Sequence, residues 1–209
     1  MNHQNFMENV VSIGAGRHLT SPLELQEGIA CLSRGTYFKE ASLDMMLSIL
    51  TESASQMSGV ERVSIWAFNN QQRELLCLDL FELSMQRHSN GHSMHAGRYP
   101  FYFGALQAGS SISADDAYIH PLTAEFAVDH LPKNGVTAII ATPIHIRGEL
   151  QGVFCLEQVG TRQPWTLAHT LFAQAVANLV TLAFVEYEAE EAKLQALAAS
   201  ERLKTVCGS

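Results

Sequence analysis

The segment from residue 135 to 159 constrains the fold more than any other part of the sequence. It contains two apolar, β-branched runs joined by the polar tetrad HIRG (residues 145–148), which predicts a β-hairpin whose glycine supplies the unusual turn dihedral. Both runs are too apolar for a sheet with one face in water, so we expect central strands covered on both sides. Pro143 cannot donate a ladder hydrogen bond, and its position predicts a bulge or strand break just before the turn.

A second hairpin is predicted from residues 62–68 (RVSIWAF) and 74–81 (ELLCLDLF), which flank a polar NNQQ turn. Strict alternation in its second strand places Leu76, Leu78 and Leu80 on one face and Cys77, Asp79 and Phe81 on the other. A face that carries an acid in mid-strand is typical of a ligand cavity. The alternative is an edge strand on which Asp79 faces water.

Helices are predicted on either side of these hairpins. Pro22 begins a short helix that ends near Gly35, and Ser42 caps a stronger one that ends at Gly59. Thr166 caps a long helix that continues to about residue 204. Between residues 84 and 131 lies a turn-rich excursion with two short helices, one at the YPFYF run and one over residues 121–129, which is typical of a binding element or lid.

The last part of the chain carries a heptad repeat that predicts a coiled-coil seam and hence a dimer. Alanines in the middle of the seam favour a switchable contact over a permanent clamp, because they bury little apolar surface. The alternative is a lone solvated helix whose glutamates are ordinary exposed residues. The seam consists of Leu182, Val185, Ala189, Ala192, Ala196, Ala199, Leu203 and Val206.

Composition limits the classes of function. The net charge of -8 and the scattered positions of the 13 lysines and arginines argue against a nucleic-acid groove. The four cysteines, Cys31, Cys77, Cys155 and Cys207, lack CxxC spacing, which favours reduced thiols in the cytoplasm. Residues 1–21 resemble neither a signal peptide nor a membrane span and are interpreted as a mobile leader, and we expect no span elsewhere.

The sequence contains no convincing catalytic constellation, so we expect no enzyme. His88, His92 and His95 are the sharpest candidates for a metal site, but an NG turn interrupts them and no acid or cysteine lies at ligand spacing, so we expect no metal there. Asp115 and Asp116 follow a predicted strand and are interpreted as helix-capping acids in preference to a catalytic pair. No nucleophile motif or phosphate loop is present.

Several linked motifs in order resemble a GAF domain of the bacterial signalling type over about residues 38–184: VERVSIWAF, ELLCLDLF, HSNG, YPFYFGAL, ISADDA, HPLTAEF, the 135–159 hairpin and RQPWTLAHTLFAQAVANLVTLA. The resemblance implies an α+β fold in which a six-stranded antiparallel sheet carries the terminal helices on one face and small lid helices over a pocket on the other. Such domains sense cyclic nucleotides, tetrapyrroles or small metabolites and pass the signal along a coiled coil. This chain departs from the family pattern at His120, Ala141 and His169.

We therefore expect a leader (residues 1–21), a GAF-like sensor domain (22–184) and a signalling coiled coil (185–209). As a parallel homodimer it would relay pocket state to a diguanylate cyclase, phosphodiesterase, histidine kinase or transcription activator. The rival hypothesis is a degenerate module used only for dimerisation or protein interaction. A third, methionine sulfoxide reduction, would need reactive cysteines in the lid. The residues predicted to bind the ligand are Trp66, Cys77, Asp79, Tyr99, Phe103, Asp116, Phe126, Ile139, Ala141, Cys155 and Glu157.

Overall fold

The computed structural model of the protein describes residues 22–35, 41–69, 71–160 and 162–207. The leader predicted for residues 1–21 lies outside the described residues. In the described part of the chain, an antiparallel sheet separates a layer of long helices from a layer of short ones. The strands are β1 (Arg62–Phe68), β2 (Glu74–Glu82), β3 (Arg87–Ser89), β4 (Ser93–His95), β5 (Ile112–Ala114), β6 (Val136–Ile146) and β7 (Glu149–Val159). The helices are α1 (Pro22–Ser33), α2 (Leu43–Ser58), α3 (Pro100–Gln107), α4 (His130–Asn134) and α5 (Leu167–Cys207), with a 3₁₀ helix at Ala124–Val128.

The sheet has the strand order β3-β2-β1-β7-β6-β5, and β4 also pairs with β2. The short strands β3 and β4 divide the outer edge of β2 between them, β3 opposite residues 80–82 and β4 opposite residues 74–76. The sheet is therefore six strands wide, which confirms the predicted α+β fold. The strands β3 and β4 were not predicted, because the Asn-Gly pair of the HSNGHSMH segment is typical of a turn.

The β6–β7 hairpin has the predicted form. Arg147 and Gly148, with φ of 53° and 84°, make a two-residue turn of the kind that matches strand twist. The pairing shifts between Ile144 and His145, which confirms a bulge just before the turn. Pro143 still pairs opposite Val153, and its other side meets no strand because β5 reaches only to Ala141.

The strand β2 contains a bulge that its sequence did not reveal. Ile65 of β1 lies opposite Asp79, and the next residue, Trp66, lies opposite Cys77, which leaves Leu78 unpaired. Because one extra residue inverts the alternation, Cys77 faces the lid whereas Asp79 faces α2. The prediction that Leu76, Leu78 and Leu80 share one face, opposite Asp79, is therefore wrong.

The helices α1, α2 and α5 cover one face of the sheet, as predicted. The Ser42 hydroxyl accepts a hydrogen bond from the Met45 backbone N–H at the start of α2, and α2 ends at Gly59. Both apolar strands contribute to this core, in agreement with their two-sided burial. The core includes Leu47, Leu50, Ile65, Ile140, Phe154, Leu156, Phe172 and Val176.

The helix α5 begins on this core and continues past it. Its described side chains are exposed throughout residues 186–200. One 18-residue window within Leu167–Ser200 has a mean hydropathy of 1.5, enough by length and composition to cross a membrane, and 39% of that window is buried in the protein. Core helices of globular proteins pass the same test, so this helix is weak evidence for a membrane span.

Candidate functional site

The space under the lid is filled by side chains. Tyr102 and Phe103 of α3 and Phe126 of the 3₁₀ helix are buried against the sheet, with the Tyr102 and Phe126 ring centroids 4.8 Å apart. Eight of the residues predicted to bind a ligand lie in this lid core, where they pack against one another. They are Trp66, Cys77, Tyr99, Phe103, Phe126, Ile139, Ala141 and Cys155.

The two lid-core cysteines are buried thiols. Burial raises the pKa of Cys77 to about 12 and raises the pKa of Cys155 as well. The Cys155 sulfur lies 3.6 Å from the Tyr102 hydroxyl, and burial raises the pKa of that tyrosine too. Both thiols are therefore protonated at neutral pH and act as small apolar side chains.

A cleft of about 820 Å³ remains beside this packed core, between the β3–β4 edge of the sheet and α4. Trp66, Leu80, Met94 and Tyr99 are buried side chains that form its apolar floor. Charged and polar groups form its walls and mouth. These are Arg62, Glu82, Arg87, His88, Ser89, His92, Ser93, Arg98, Asp129, His130, Lys133 and Asn134.

Glu157 anchors one wall of the cleft from beneath. Its carboxylate lies 2.9 Å from Arg62 Nε and 2.7 Å from His130 Nε2, so it ties β7 to β1 and α4. Burial by itself would raise the pKa of Glu157, but the adjacent His130 and Arg62 lower it to about 2. Burial opposes the charged form of His130, and the Glu157 carboxylate outweighs it and raises the pKa of that histidine.

Two further carboxylates organise the mouth of the cleft. Glu82 accepts from Arg62 through one oxygen and from Arg87 through the other. Asp129 pairs with Arg98 and accepts hydrogen bonds from the Tyr99 hydroxyl at 2.8 Å and the His130 backbone N–H at 2.6 Å. Burial, followed by the hydrogen bond to Asp129, raises the pKa of Tyr99 to about 12.

Asp79 lies on the helical side of the sheet, and its predicted position on the pocket face needs correction. Only 4% of the residue is exposed, and it accepts hydrogen bonds from the hydroxyls of Ser48 and Thr51 on α2. His88 of β3 places Nδ1 3.0 Å from Asp79 and Nε2 3.5 Å from Glu52. Hydrogen bonds to these two carboxylates raise the pKa of His88 to about 9. This cleft-lining residue is therefore protonated at neutral pH and forms an ionic contact with Glu52 of α2.

The remaining predicted residues lie apart from the cleft or at its mouth. Asp116 pairs with Arg162 and accepts the Tyr118 backbone N–H within a turn. The structure describes every residue of this turn and no helix begins there, so the interpretation of Asp115 and Asp116 as helix-capping acids is wrong. His88, His92 and His95 do not converge, because His95 lies 3.6 Å from Glu74 while His88 contacts Asp79 and Glu52. No group of three or more metal-ligating side chains occurs among the described residues.

Sequence reasoning missed most of the cleft residues. Arg62, Arg87, Arg98, His130 and Lys133 come from separate parts of the chain and carry no motif spacing. They meet only in the folded chain, because Arg62 lies on β1, Arg87 on β3, and His130 and Lys133 on α4, and the strand β3 was not predicted. The only available signal was the length of the 84–131 excursion, which indicated a binding element without naming its residues.

A family model for the GAF domain matches residues 42–184. The chain belongs to the GAF domain family. Its core elements, from α2 to the first part of α5, all fall within the matched residues. GAF domains are sensor-type domains of signalling proteins, and this chain has that general character. A comparison with curated proteins found no match.

Solved structures share the fold at low sequence identity. The GAF domain of a phosphoenolpyruvate-protein phosphotransferase from Coxiella burnetii has a TM-score of 0.66 at 15% identity, over 83% of this chain and 99% of that one. The phycoerythrobilin-bound GAF domain of a cyanobacterial phytochrome has a TM-score of 0.65 at 14% identity, over 80% and 97%. Free methionine-R-sulfoxide reductase from Neisseria meningitidis has a TM-score of 0.63 at 13% identity, over 83% and 97%.

Proposed function

We propose that this GAF domain is a cytoplasmic sensor module of a bacterial signalling protein that binds a small molecule in the cleft and relays its occupancy through α5. The observation that carries the proposal is the placement of the cleft and α5 on opposite faces of one sheet. The output is a domain or partner of the diguanylate cyclase, phosphodiesterase, histidine kinase or transcription activator class.

A short contact path supports the relay. His88 lines the cleft and also contacts Glu52 on α2. The helix α2 packs against α5 in the helical layer. A ligand that moves β3 would therefore act on α2 through a charged contact and on α5 through apolar packing, since packed layers transmit strain.

The exposed part of α5 supports a parallel homodimer. Isolated helices gain little stability in water without a packed face, and residues 186–200 have none in a single chain. With Ala192 and Ala196 in the seam, Glu188 and Lys193 fall at the flanking g and e positions. In a parallel pair these residues attract each other across the interface, which favours that orientation.

We propose binding without catalysis. Cys77 and Cys155 are buried and protonated, and Cys31 lies on α1, on the opposite side of the sheet from the lid. A sulfoxide reduction of the type carried out by the Neisseria meningitidis enzyme would require an accessible thiolate near the ligand. The described residues of the lid contain no such cysteine.

Two measurements test the proposal. A thermal-shift screen of nucleotides and metabolites should find a ligand that stabilises the chain, because a ligand that binds only the folded state raises the melting temperature. Sedimentation equilibrium should find a dimer that Ala196→Glu weakens and the matched control Ala198→Glu, outside the seam, does not. A chain that no compound stabilises and that stays monomeric would contradict the proposal.

A second candidate function is an interaction module without a ligand. The packed lid core favours it, because Tyr102, Phe103 and Phe126 occupy the space beneath the lid. Ala141, one of the positions where this chain departs from the family pattern, is buried in that core. This function would be supported if the chain forms a dimer and no compound in the screen binds to it.

A further inference from the structure

The cleft has an excess of positive charge in an acidic protein. Arg62, Arg87, Arg98 and Lys133 line it, against the carboxylates of Glu82 and Asp129. The net charge of the whole chain is -8, so this concentration of cations is local. Clefts with charged walls of one sign concentrate ligands of the opposite sign.

The carboxylates in the cleft are already occupied. Both oxygens of Glu82 accept hydrogen bonds from arginines, and Asp129 accepts from Arg98, Tyr99 and the His130 backbone. Each carboxylate is therefore already paired with at least one arginine. Four cations against two carboxylates leave the lining with a formal excess of two positive charges.

The cations at the mouth of the cleft have hydrogen-bond donors that take no part in the salt bridges of the described residues. Arg87 and Arg98 each form a salt bridge through a single terminal nitrogen, and their side chains are 58% and 61% exposed. A guanidinium has five N–H donors, so both retain donors for a ligand. Lys133 on the exposed side of α4 has no ion pair with any described residue.

From these observations, and resting on the proposed sensor function, we infer that the ligand is an amphipathic anion. Its carboxylate or phosphate group lies at the mouth of the cleft between Arg87, Arg98 and Lys133. Its apolar or planar body lies on the floor formed by Trp66 and Met94. Guanidinium groups suit both anion types because they match the geometry of two oxygens at once.

The inference is tested with a library of matched pairs in which only the charge differs. Free acids are compared with their amides, for example indole-3-acetate with indole-3-acetamide, and nucleoside monophosphates with nucleosides, for example AMP with adenosine. Binding is followed by amide chemical shifts in NMR titrations. We expect the anion of at least one pair to bind with shifts in residues 87–94 and 129–134, and the neutral partner to bind at least tenfold more weakly. The pair that responds distinguishes a carboxylate from a phosphate ligand.

Variants identify the groups responsible. Lys133→Gln and Arg98→Gln should each weaken the responding anion about tenfold. The control Arg147→Gln, at the exposed β6–β7 turn, should leave its affinity unchanged. Binding should also weaken with added salt, because the cations are exposed.

The failure of this inference differs from the failure of the sensor function. A neutral compound that binds the cleft as tightly as its anionic partner, with an affinity that Lys133→Gln does not alter, would overturn the anion inference and leave the sensor intact. If no member of any pair binds and the thermal-shift screen also finds nothing, both proposals are overturned.

Discussion

Replacing Glu157 with glutamine tests the ionic network under the cleft. Glu157 is 7% exposed, and its carboxylate pairs with both Arg62 and His130. Its pKa of about 2, against an ordinary 4.5, corresponds to about 3 kcal/mol of stabilisation at neutral pH. Loss of one partner from a buried ion pair costs about 3–5 kcal/mol, and the lower value applies here because Arg62 retains Glu82. We therefore expect Glu157→Gln to lower the free energy of unfolding by about 3 kcal/mol.

The contributions of Glu157 and His130 to stability change with pH in opposite directions. The folded-state pKa of Glu157 is lowered, so its contribution is complete above its ordinary pKa of 4.5 and is lost as the pH falls toward 2. The folded-state pKa of His130 is raised, so its contribution is present below its ordinary 6.5 and is lost as the pH rises through the raised value. Glu157→Gln removes both contributions, and its stability should vary less with pH than that of the wild type.

Urea denaturation between pH 3 and 9 measures both effects. The matched control is Glu149→Gln, the same substitution at an exposed position in the same strand. It should change the free energy of unfolding by less than about 0.5 kcal/mol. A Glu157→Gln loss below about 1 kcal/mol, or an unchanged decline in acid, would refute the reasoning.

Two further predictions concern β2 and β7. NMR titration should give His88 a pKa of about 9. The Asp79→Asn substitution should return this pKa toward 6.5, because it removes the carboxylate that stabilises the protonated histidine. An unchanged pKa in the variant would mean that Asp79 is not the cause of the shift. The wild-type stabilisation from this contact is present below pH 6.5 and is lost as the pH rises through about 9. Gly152→Ala should cost about 1–3 kcal/mol in urea denaturation, because its Cβ would overlap the Trp66 carbonyl oxygen. Gly104→Ala, which meets open space on α3, should be neutral or stabilising, and equal losses in the two variants would contradict the packing argument.

Elements whose signals are local could be predicted from the sequence. Two-sided burial of residues 135–159, the Ser42 cap and the helix at the YPFYF run depend on neighbouring residues, and the structure contains each of them. Alternation also placed Ile139 and Cys155 correctly on the lid face, because the two strands are regular where these residues lie.

Features that depend on distant pairing could not be predicted. Asp79 was placed on the wrong face because the extra residue in β2 is defined only against β1. The cleft cations were missed because Arg62 and Lys133 meet only through the sheet and lid together. Ala141, one of the positions where the sequence departs from the family pattern, packs in the apolar lid core, whereas the charged groups of the cleft lie beside that core.

The central claim is that the cleft and α5 are coupled, and amide hydrogen exchange tests it most directly. Exchange is compared with and without a compound that stabilises the chain. The account predicts slower exchange in residues 87–94 and 129–134 of the cleft and also in residues 186–200 of α5. Protection confined to the cleft, with exchange in α5 unchanged, would contradict it.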